Sequence, residues 1–231
     1  MAFDVRIEEH LAEVLVPRLE RIAREAIAAR GRFAIALPGG SVATTCFPRF
    51  AEATVDWSRT HFFWGDERSV SVTHPDSNFG VAEKLWLERI TMGHSPTIHR
   101  MEADHADLGD AARRYERALR EKGPLDLALL GMGPDGHVCS LFPGHAMLAE
   151  KERLVGVIED SPKPPPKRLT LTLPALAAAG EVVIVATGAA KADIVRAVCR
   201  DEASQLPAAL ALRGAKKGTI VLDAAAASKL S

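Results

Sequence analysis

The chain has 231 residues, enough for one large domain or two small ones. Hydrophobic residues make up 47% and charged residues 26%, which are ordinary globular proportions and exclude a disordered, collagen-like or coiled-coil chain. The formal net charge is −1, so the chain lacks the overall positive field that attracts nucleic acid or an anionic membrane surface. We therefore expect neither partner, and any anionic ligand must bind to a local cluster of cations.

Cysteine usage and the amino terminus indicate the compartment. Cys46, Cys139 and Cys199 are odd in number and far apart, which fits neither a disulfide framework nor a zinc site. Residues 1–10 carry acidic residues where a signal peptide has cations. No stretch has the ~18 uninterrupted apolar residues of a membrane span. We expect a cytoplasmic protein.

Apolar patterns along the chain predict strands that alternate with helices. The first helix is predicted over 8–30, where apolar residues recur at helical spacing until Gly31. Short continuous apolar runs, typical of buried parallel strands, lie at 33–37, 60–64, 125–130, 154–158, 169–173, 182–186 and 219–222. Helical patterns separate many of them, at 41–53, 77–90, 107–122, 174–179 and 188–200. This alternation predicts a single α/β domain over residues 1–231, with a mostly parallel sheet flanked by helices.

Ligands in an open α/β sheet bind beyond the carboxyl ends of the strands, and the first such segment is a glycine pair. After strand 33–37 the sequence reads Pro38-Gly39-Gly40-Ser41. The glycines allow a ligand to approach the backbone, and Ser41 is expected to cap a helix whose amides face an anion. The alternative is an ordinary strand–helix turn. No Gly-Lys-Ser/Thr follows, so this is not a nucleotide-binding P-loop.

Polar residues follow the next predicted strand. After strand 60–64 the sequence reads Gly65-Asp66-Glu67-Arg68, which offers proton transfer and anion binding or forms only a solvated charged turn. The segment His74-Pro-Asp-Ser-Asn78 is typical of a loop that caps a helix. Asn78 has either that role or a contact with substrate.

A glycine-rich segment follows strand 125–130. Gly131, Gly133 and Gly136 have the spacing of a dinucleotide-binding loop. However, Pro134 lies inside the motif, and a proline–glycine pair at 143–144 cuts short the helix that would hold the pyrophosphate. We therefore expect no nicotinamide cofactor.

The same segment contains a candidate general base. Imidazole is the side chain best matched to proton transfer at neutral pH, and the carboxylate of Asp135 lies only two residues before His137. A structural histidine is the alternative. Cys139 could pair with His137 as a nucleophile, but a small buried thiol is the favoured interpretation.

Two cations near later strands are candidate phosphate ligands. Arg168 precedes strand 169–173, and Lys191 opens the helical pattern at 188–200, although each could be a surface charge. The segment Ser161-Pro-Lys-Pro-Pro-Pro-Lys167 is interpreted as a stiff loop that leads into strand 169–173 rather than as a docking ligand. No set of His, Cys, Asp and Glu residues has metal-site spacing, so we expect no metal.

Seven stretches together resemble the 6-phosphogluconolactonases, in the order of that family and over essentially the whole chain. They are Leu-Pro-Gly-Gly-Ser (37–41), Phe-Trp-Gly-Asp-Glu-Arg (63–68), His-Pro-Asp-Ser-Asn (74–78), Gly-Met-Gly-Pro-Asp-Gly-His (131–137), Ser-Leu-Phe-Pro-Gly (140–144), Arg-Leu-Thr-Leu-Thr (168–172) and Thr-Gly-Ala-Ala-Lys (187–191). The resemblance implies a Rossmann-like α/β domain. It also implies hydrolysis of 6-phosphoglucono-1,5-lactone in the oxidative pentose phosphate pathway, without metal or cofactor.

Matching to that family also implies roles for individual residues. His137 would act as base toward water and then as acid toward the ring oxygen, with Asp135 or Asp66 orienting it. The substrate phosphate would lie near Ser41, Arg168, Lys191 and Arg68. Backbone amides of Gly39 and Gly40 would approach the sugar, where one could face the developing oxyanion, and Asn78 is a weaker substrate contact.

Two alternatives remain open from the sequence. Glucosamine-6-phosphate deaminases have similar loops, but they typically have a glutamate in their histidine relay where this chain has Phe142, which cannot carry a proton. Sugar-phosphate sensor domains bind without turnover, but they normally carry a helix-turn-helix segment, and the first 31 residues leave room for only one helix. The sequence leaves the oligomeric state open, and a monomer is compatible with it.

Overall fold

The computed structural model describes residues 3–90 and 95–230, so the predicted domain limits at residues 1 and 231 stay a prediction. The strands are Asp4–Ile7 (β1), Phe33–Leu37 (β2), Thr60–Trp64 (β3), Asp66–Arg68 (β4), Thr97–Ile98 (β5), Leu127–Gly131 (β6), Val155–Ile158 (β7), Arg168–Leu171 (β8), Glu181–Ala186 (β9) and Gly218–Leu222 (β10). The helices are Leu11–Arg30 (α1), Gly40–Phe50 (α2), Asn78–Ala82 (α3), Glu88–Ile90 (α4), Leu108–Lys122 (α5), Leu173–Ala178 (α6), Ala192–Arg200 (α7) and Pro207–Gly214 (α8). A wider π-helical turn, Glu83–Leu87, joins α3 to α4.

The strands form two sheets. Seven lie parallel in the order β1-β10-β9-β6-β2-β3-β5, and β4, β8 and β7 form a small antiparallel sheet. Gly65 links the two sheets, because its N–H donates to the carbonyl of Leu37 in β2 and its carbonyl accepts from Leu171 in β8. The prediction of an α/β domain with a mostly parallel sheet flanked by helices is confirmed.

The central strands are built from continuous apolar runs because helices cover both faces of the large sheet. In β2, Ala34 and Ala36 pack into the core on one face, whereas Phe33, Ile35 and Leu37 pack into the core on the other. Helices α1 to α4 cover the second face, and α5 to α8 cover the first. No helix in the described ranges is both long and apolar enough to cross a membrane.

The small sheet was not predicted. The runs at 154–158 and 169–173 were expected in the parallel sheet, but they form β7 and β8, which are antiparallel partners. Asp66–Arg68 was expected to follow a strand, either as a segment for proton transfer and anion binding or as a charged turn, and it forms the third strand of the small sheet. Its three residues are all polar, so the sequence shows no apolar alternation that would predict a strand. Their strand conformation comes from pairing with β8.

The chain changes direction across the large sheet between β2 and β6. From β2 it builds outward to β3 and β5, whereas β6, β9 and β10 lie on the opposite side of β2. At such a switch point the loops after neighbouring strands diverge and leave a crevice at their carboxyl ends. The glycine pair 39–40 and the loop 131–137 therefore face one another across this crevice.

Candidate active site

A cavity of about 220 Å³ opens at the crevice between β2 and β6. Eight of the residues predicted for the site line it: Gly39, Gly40, Ser41, Asp66, Arg68, His137, Arg168 and Lys191. Asp135 and Asn78 do not line it. The fold thus brings together residues that the chain separates by up to about 150 positions, and it leaves two of the predicted residues outside the lining.

The glycine pair forms one wall through the start of α2. Gly39 is the N-cap, and Gly40 adopts a left-handed φ of 63° as the chain enters the helix, a conformation that glycine adopts without strain. The expectation that Ser41 caps the helix is wrong, because α2 begins one residue earlier and Ser41 lies in its first turn. The Ser41 side chain is exposed at the cavity instead.

Asn78 supports the wall from behind. It is 2% exposed, and its amide nitrogen donates to the carbonyl of Asp66 at 2.8 Å and to Asp66 Oδ1 at 3.1 Å. A methyl group on Gly39 would lie 1.9 Å from Asn78 Oδ1. In this structure Asn78 holds Asp66 and lies against Gly39, and its contact with substrate stays a prediction. The helix cap of α3 is Ser77, which accepts from the N–H of Gly80.

Asp66 belongs to a buried network at the floor of the cavity. Ser140 donates to Asp66 Oδ2 at 2.7 Å, and the guanidinium of Arg168 lies 3.8 Å from the same oxygen. Arg168 also donates to Ser140 Oγ at 3.3 Å. Neither oxygen of Asp66 hydrogen-bonds to His137 in the described structure, so Asp66 is not the carboxylate that orients the imidazole by contact.

A tight loop after β6 positions His137. The N–H of Gly133 donates to the carbonyl of His137, and that of Gly136 donates to the carbonyl of Gly133. Gly136 has a φ of 80°, which favours glycine. This curl brings Asp135 Oδ1 to 2.5 Å from Nδ1 of His137. The Nε2 atom makes no hydrogen bond with any described residue, and it is the ring nitrogen left for a ligand in the cavity.

Lys163 also belongs to this group, although it was not predicted as a site residue. Its Nζ lies 3.1 Å from Asp135 Oδ1 and 3.2 Å from His137 Nδ1. It belongs to the proline-rich segment 161–167, interpreted above only as a stiff loop. The segment does lead into β8, but nothing in its composition relates it to a histidine 26 positions earlier.

Charges and burial act together on the histidine–aspartate pair. Burial lowers the pKa of His137 below its ordinary value, with Asp135 acting against this effect and Lys163 adding to it. Burial acts to raise the pKa of Asp135, but its contacts with His137 and Lys163 outweigh that effect and lower it. The pair is thus a carboxylate beside a neutral imidazole near neutral pH, which is the state a general base requires.

Arg168 reaches the cavity but uses most of its donors inside the protein. It is 4% exposed. Its Nε donates to the carbonyl of Pro165 at 3.0 Å, and one terminal nitrogen donates to the carbonyls of Lys163 at 3.0 Å and Pro164 at 3.1 Å. Only the other terminal nitrogen, on Ser140, faces the network at the cavity floor.

Two other cations line the cavity. Lys191 is half-buried, and its ammonium makes no hydrogen bond or ion pair with any described residue. Burial lowers the pKa of this ammonium, Asp223 acts against that effect and Lys163 adds to it. Arg68 donates to the carbonyl of Asp76 at 2.6 Å from one terminal nitrogen. Both side chains keep donors for an anion in the cavity.

Two side chains near His137, Cys139 and Phe142, supply neither a thiolate nucleophile nor a second proton carrier. Burial, with the nearby charge of Asp66, raises the pKa of the Cys139 thiol well above its ordinary value, so it is not a thiolate near neutral pH. Phe142 is 1% exposed, and its ring centroid lies 4.9 Å from that of His137. Among the described residues no group of three or more His, Cys, Asp or Glu side chains is placed to hold a metal ion.

Comparisons with known proteins assign the chain to a family. The family model described as glucosamine-6-phosphate isomerases/6-phosphogluconolactonase matches residues 6–221. The chain is 41% identical to a rat 6-phosphogluconolactonase over 214 residues, covering 87% of this chain and 82% of the relative. It is 40% identical over 215 residues to a probable chloroplastic 6-phosphogluconolactonase of rice, covering 85% of this chain but only 65% of that longer protein. The crystal structure of a 6-phosphogluconolactonase from Thermotoga maritima has a TM-score of 0.85 at 27% identity, covering 96% of this chain and 99% of the other. The chain belongs to this family.

Proposed function

We propose that this member of the glucosamine-6-phosphate isomerase/6-phosphogluconolactonase family hydrolyses 6-phospho-D-glucono-1,5-lactone to 6-phospho-D-gluconate, a step of the oxidative pentose phosphate pathway. The names of the relatives that are about 40% identical support this activity. The observation that carries the mechanism is the arrangement at His137, whose Nδ1 is held by Asp135 while Nε2 remains available in a cation-lined cavity.

The reaction starts with a proton transfer to His137. Its Nε2 takes a proton from a water molecule as the water oxygen attacks C1 of the lactone, and the carbonyl oxygen becomes an oxyanion. Asp135 accepts the hydrogen bond from Nδ1–H, which fixes the tautomer that leaves Nε2 unprotonated and then stabilises the imidazolium. A backbone amide of Gly39 or Gly40 faces the oxyanion.

The second half of the reaction opens the ring. The tetrahedral intermediate collapses, the bond between C1 and the ring oxygen breaks, and the imidazolium donates its proton from Nε2 to that oxygen. The product has a free hydroxyl and a carboxylic acid, which releases one proton to solvent. His137 returns to its neutral form.

The cations of the cavity bind the phosphate. The Lys191 ammonium has no hydrogen-bond or ion-pair partner among the described residues, and Arg68 keeps free donors. The exposed Ser41 lies at the amino terminus of α2, where backbone N–H groups face an anion. Because the whole chain carries a net charge of only −1, this local cluster supplies the attraction for a phosphate dianion.

The deaminase alternative lacks a proton carrier. The residue beside the imidazole at the deaminase relay position is Phe142, whose ring is apolar and buried. The sensor alternative makes a different prediction, because a sensor binds the phosphosugar without accelerating hydrolysis.

Proton release distinguishes these functions. Freshly generated lactone is mixed with the protein at fixed pH, and acid production is followed against the spontaneous rate; ammonia is measured in parallel with glucosamine 6-phosphate. We expect acid production in proportion to protein concentration and no ammonia. Lactone decay at the spontaneous rate despite binding of phosphogluconate indicates a sensor, and ammonia release indicates a deaminase; either result overturns the proposal.

A further inference from the structure

The proline-rich loop at 161–167 places the Lys163 ammonium beside His137 and Asp135. Lys163 Nζ lies within hydrogen-bond distance of both Asp135 Oδ1, at 3.1 Å, and His137 Nδ1, at 3.2 Å. Lys163 does not line the cavity, and the imidazole atom that it approaches is Nδ1, the nitrogen beside Asp135. The mechanism proposed above does not use this side chain.

The position of Lys163 is built by the protein rather than left to a flexible loop. Ser161 Oγ donates to the carbonyl of Lys163 at 2.8 Å and accepts from its N–H at 3.2 Å. The buried guanidinium of Arg168 binds the carbonyls of Lys163, Pro164 and Pro165. The backbone that carries the ammonium is therefore tied to β8 at several points.

We propose that Lys163 is a positioning residue for the reaction: its ammonium donates to Asp135 Oδ1 beside the Nδ1 edge of His137, where it partly neutralises the carboxylate and weakens the attraction of that carboxylate for an imidazolium. Arg168 holds the loop that makes this contact. The inference rests on the proposed function, in which neutral His137 accepts a proton from water. Lys163 acts through that imidazole and does not touch the substrate.

The charges around His137 set the direction of the effect. Asp135 favours the imidazolium by direct contact, and Asp66 favours it from farther away. Lys163 opposes both, and Phe142 contributes only an apolar ring to the surroundings. Without the Lys163 ammonium only burial still opposes the two carboxylates, so the pKa of His137 rises, the imidazole holds its proton to higher pH and a smaller fraction of the enzyme carries a free base.

An NMR titration tests this inference without substrate. The pKa of His137 is followed through its imidazole protons in the wild type and in Lys163→Met, with His137→Asn identifying the resonance. We expect the pKa to rise by about half to one pH unit in Lys163→Met and to return toward the wild-type value in Lys163→Arg. Lys167→Met is the matched control, because Lys167 is exposed on the same loop and loses the same charge.

An unchanged imidazole pKa in folded Lys163→Met, or an equal rise in Lys167→Met, overturns the inference. The acid limb of the kcat/KM profile provides the second readout, and it should move to higher pH by the same amount as the NMR titration. If the wild type hydrolyses lactone and the pKa does not move, the inference fails and the proposed function stands. If the pKa of His137 rises in Lys163→Met but the wild type shows no turnover, the proposed function fails, whereas the effect of Lys163 on His137 is confirmed.

Discussion

The backbone of Gly133 lies directly against the imidazole of His137. A methyl group at Gly133 would lie 2.0 Å from Cε1 and 2.1 Å from Nδ1 of His137, and 2.7 Å from Asp135 Oδ1. A Cβ carbon does not approach other atoms this closely, so a glycine at this position leaves the room that the histidine–aspartate pair needs. The glycine-rich loop therefore serves the geometry of the base rather than the approach of a dinucleotide.

Gly133→Ala should keep the fold and lose most of the activity. The new methyl group displaces the imidazole from Asp135, and loss of a positioned base lowers kcat by roughly 10²–10⁴-fold. Steady-state kinetics and the unfolding midpoint are measured together. Gly214→Ala is the control, because a methyl group there would meet no atom within 4 Å beyond its chain neighbours and the nearby backbone of its own helix. Wild-type kcat in Gly133→Ala would show that the imidazole position is not critical.

The contact between Gly39 and Asn78 predicts a coupled stability effect. A methyl group on Gly39 would overlap the Asn78 amide, at 1.9 Å from Oδ1 and 2.4 Å from Cγ, so Gly39→Ala should destabilise the fold by about 1–3 kcal/mol. In the Asn78→Ala background the same substitution should cost less, by about 0.5–3 kcal/mol. Denaturant unfolding of the four proteins measures this difference, and additive losses would contradict it.

Lys191 and Arg168 should differ in how they affect phosphate recognition. Lys191→Ala should raise KM for the phosphorylated lactone by about 10–100-fold, because a charged hydrogen bond is lost, with little effect on unphosphorylated gluconolactone. Arg168→Ala should lower kcat/KM for both lactones, because its donors hold the Lys163 loop.

The informative quantity is the ratio of kcat/KM for the two lactones in each variant. The sequence-based assignment of Arg168 as a phosphate ligand predicts that Arg168→Ala changes this ratio. The contacts in the structure predict that only Lys191→Ala changes it strongly. A large change in Arg168→Ala alone would restore the phosphate role to Arg168.

Asp135→Asn should shift the pH profile in the direction opposite to Lys163→Met. Removing the carboxylate charge destabilises the imidazolium, so the pKa of His137 falls and the acid limb of kcat/KM moves to lower pH, by about one pH unit. The kcat plateau should also fall, because an amide can donate to Nδ1 and leave the proton on Nε2. An acid limb that stays in place, or moves to higher pH, would contradict the assignment of that limb to His137.

The large sheet and its site could be predicted from the sequence because the patterns that indicate them lie within short stretches of the chain. The run 33–37 is apolar throughout since both faces of β2 are covered, and the glycine and acid motifs follow strand ends at the switch point. Asp135 lies two residues from His137, so their contact needs only a curled loop. Because the strands are parallel, the motifs that follow them all lie at the same edge of the sheet.

The contacts that escaped prediction depend on tertiary packing. Asp66–Arg68 is a strand only because β8 pairs with it. Asn78 looks like a polar loop residue in the sequence, and only the approach of Gly39 shows it to be buried support. Lys163 stands among prolines that indicate a stiff loop, and its role depends on where Arg168 holds the backbone of that loop.

The imidazole of His137 is proposed to perform the proton transfers of lactone hydrolysis, and the decisive measurement is the turnover of His137→Asn. The variant should bind phosphogluconate and unfold at the wild-type midpoint, because the side chain is replaced by a smaller polar one at the cavity wall. Its kcat for 6-phosphoglucono-1,5-lactone should fall by roughly 10²–10⁴-fold. Wild-type kcat in the folded variant would remove His137 from the mechanism and contradict the account.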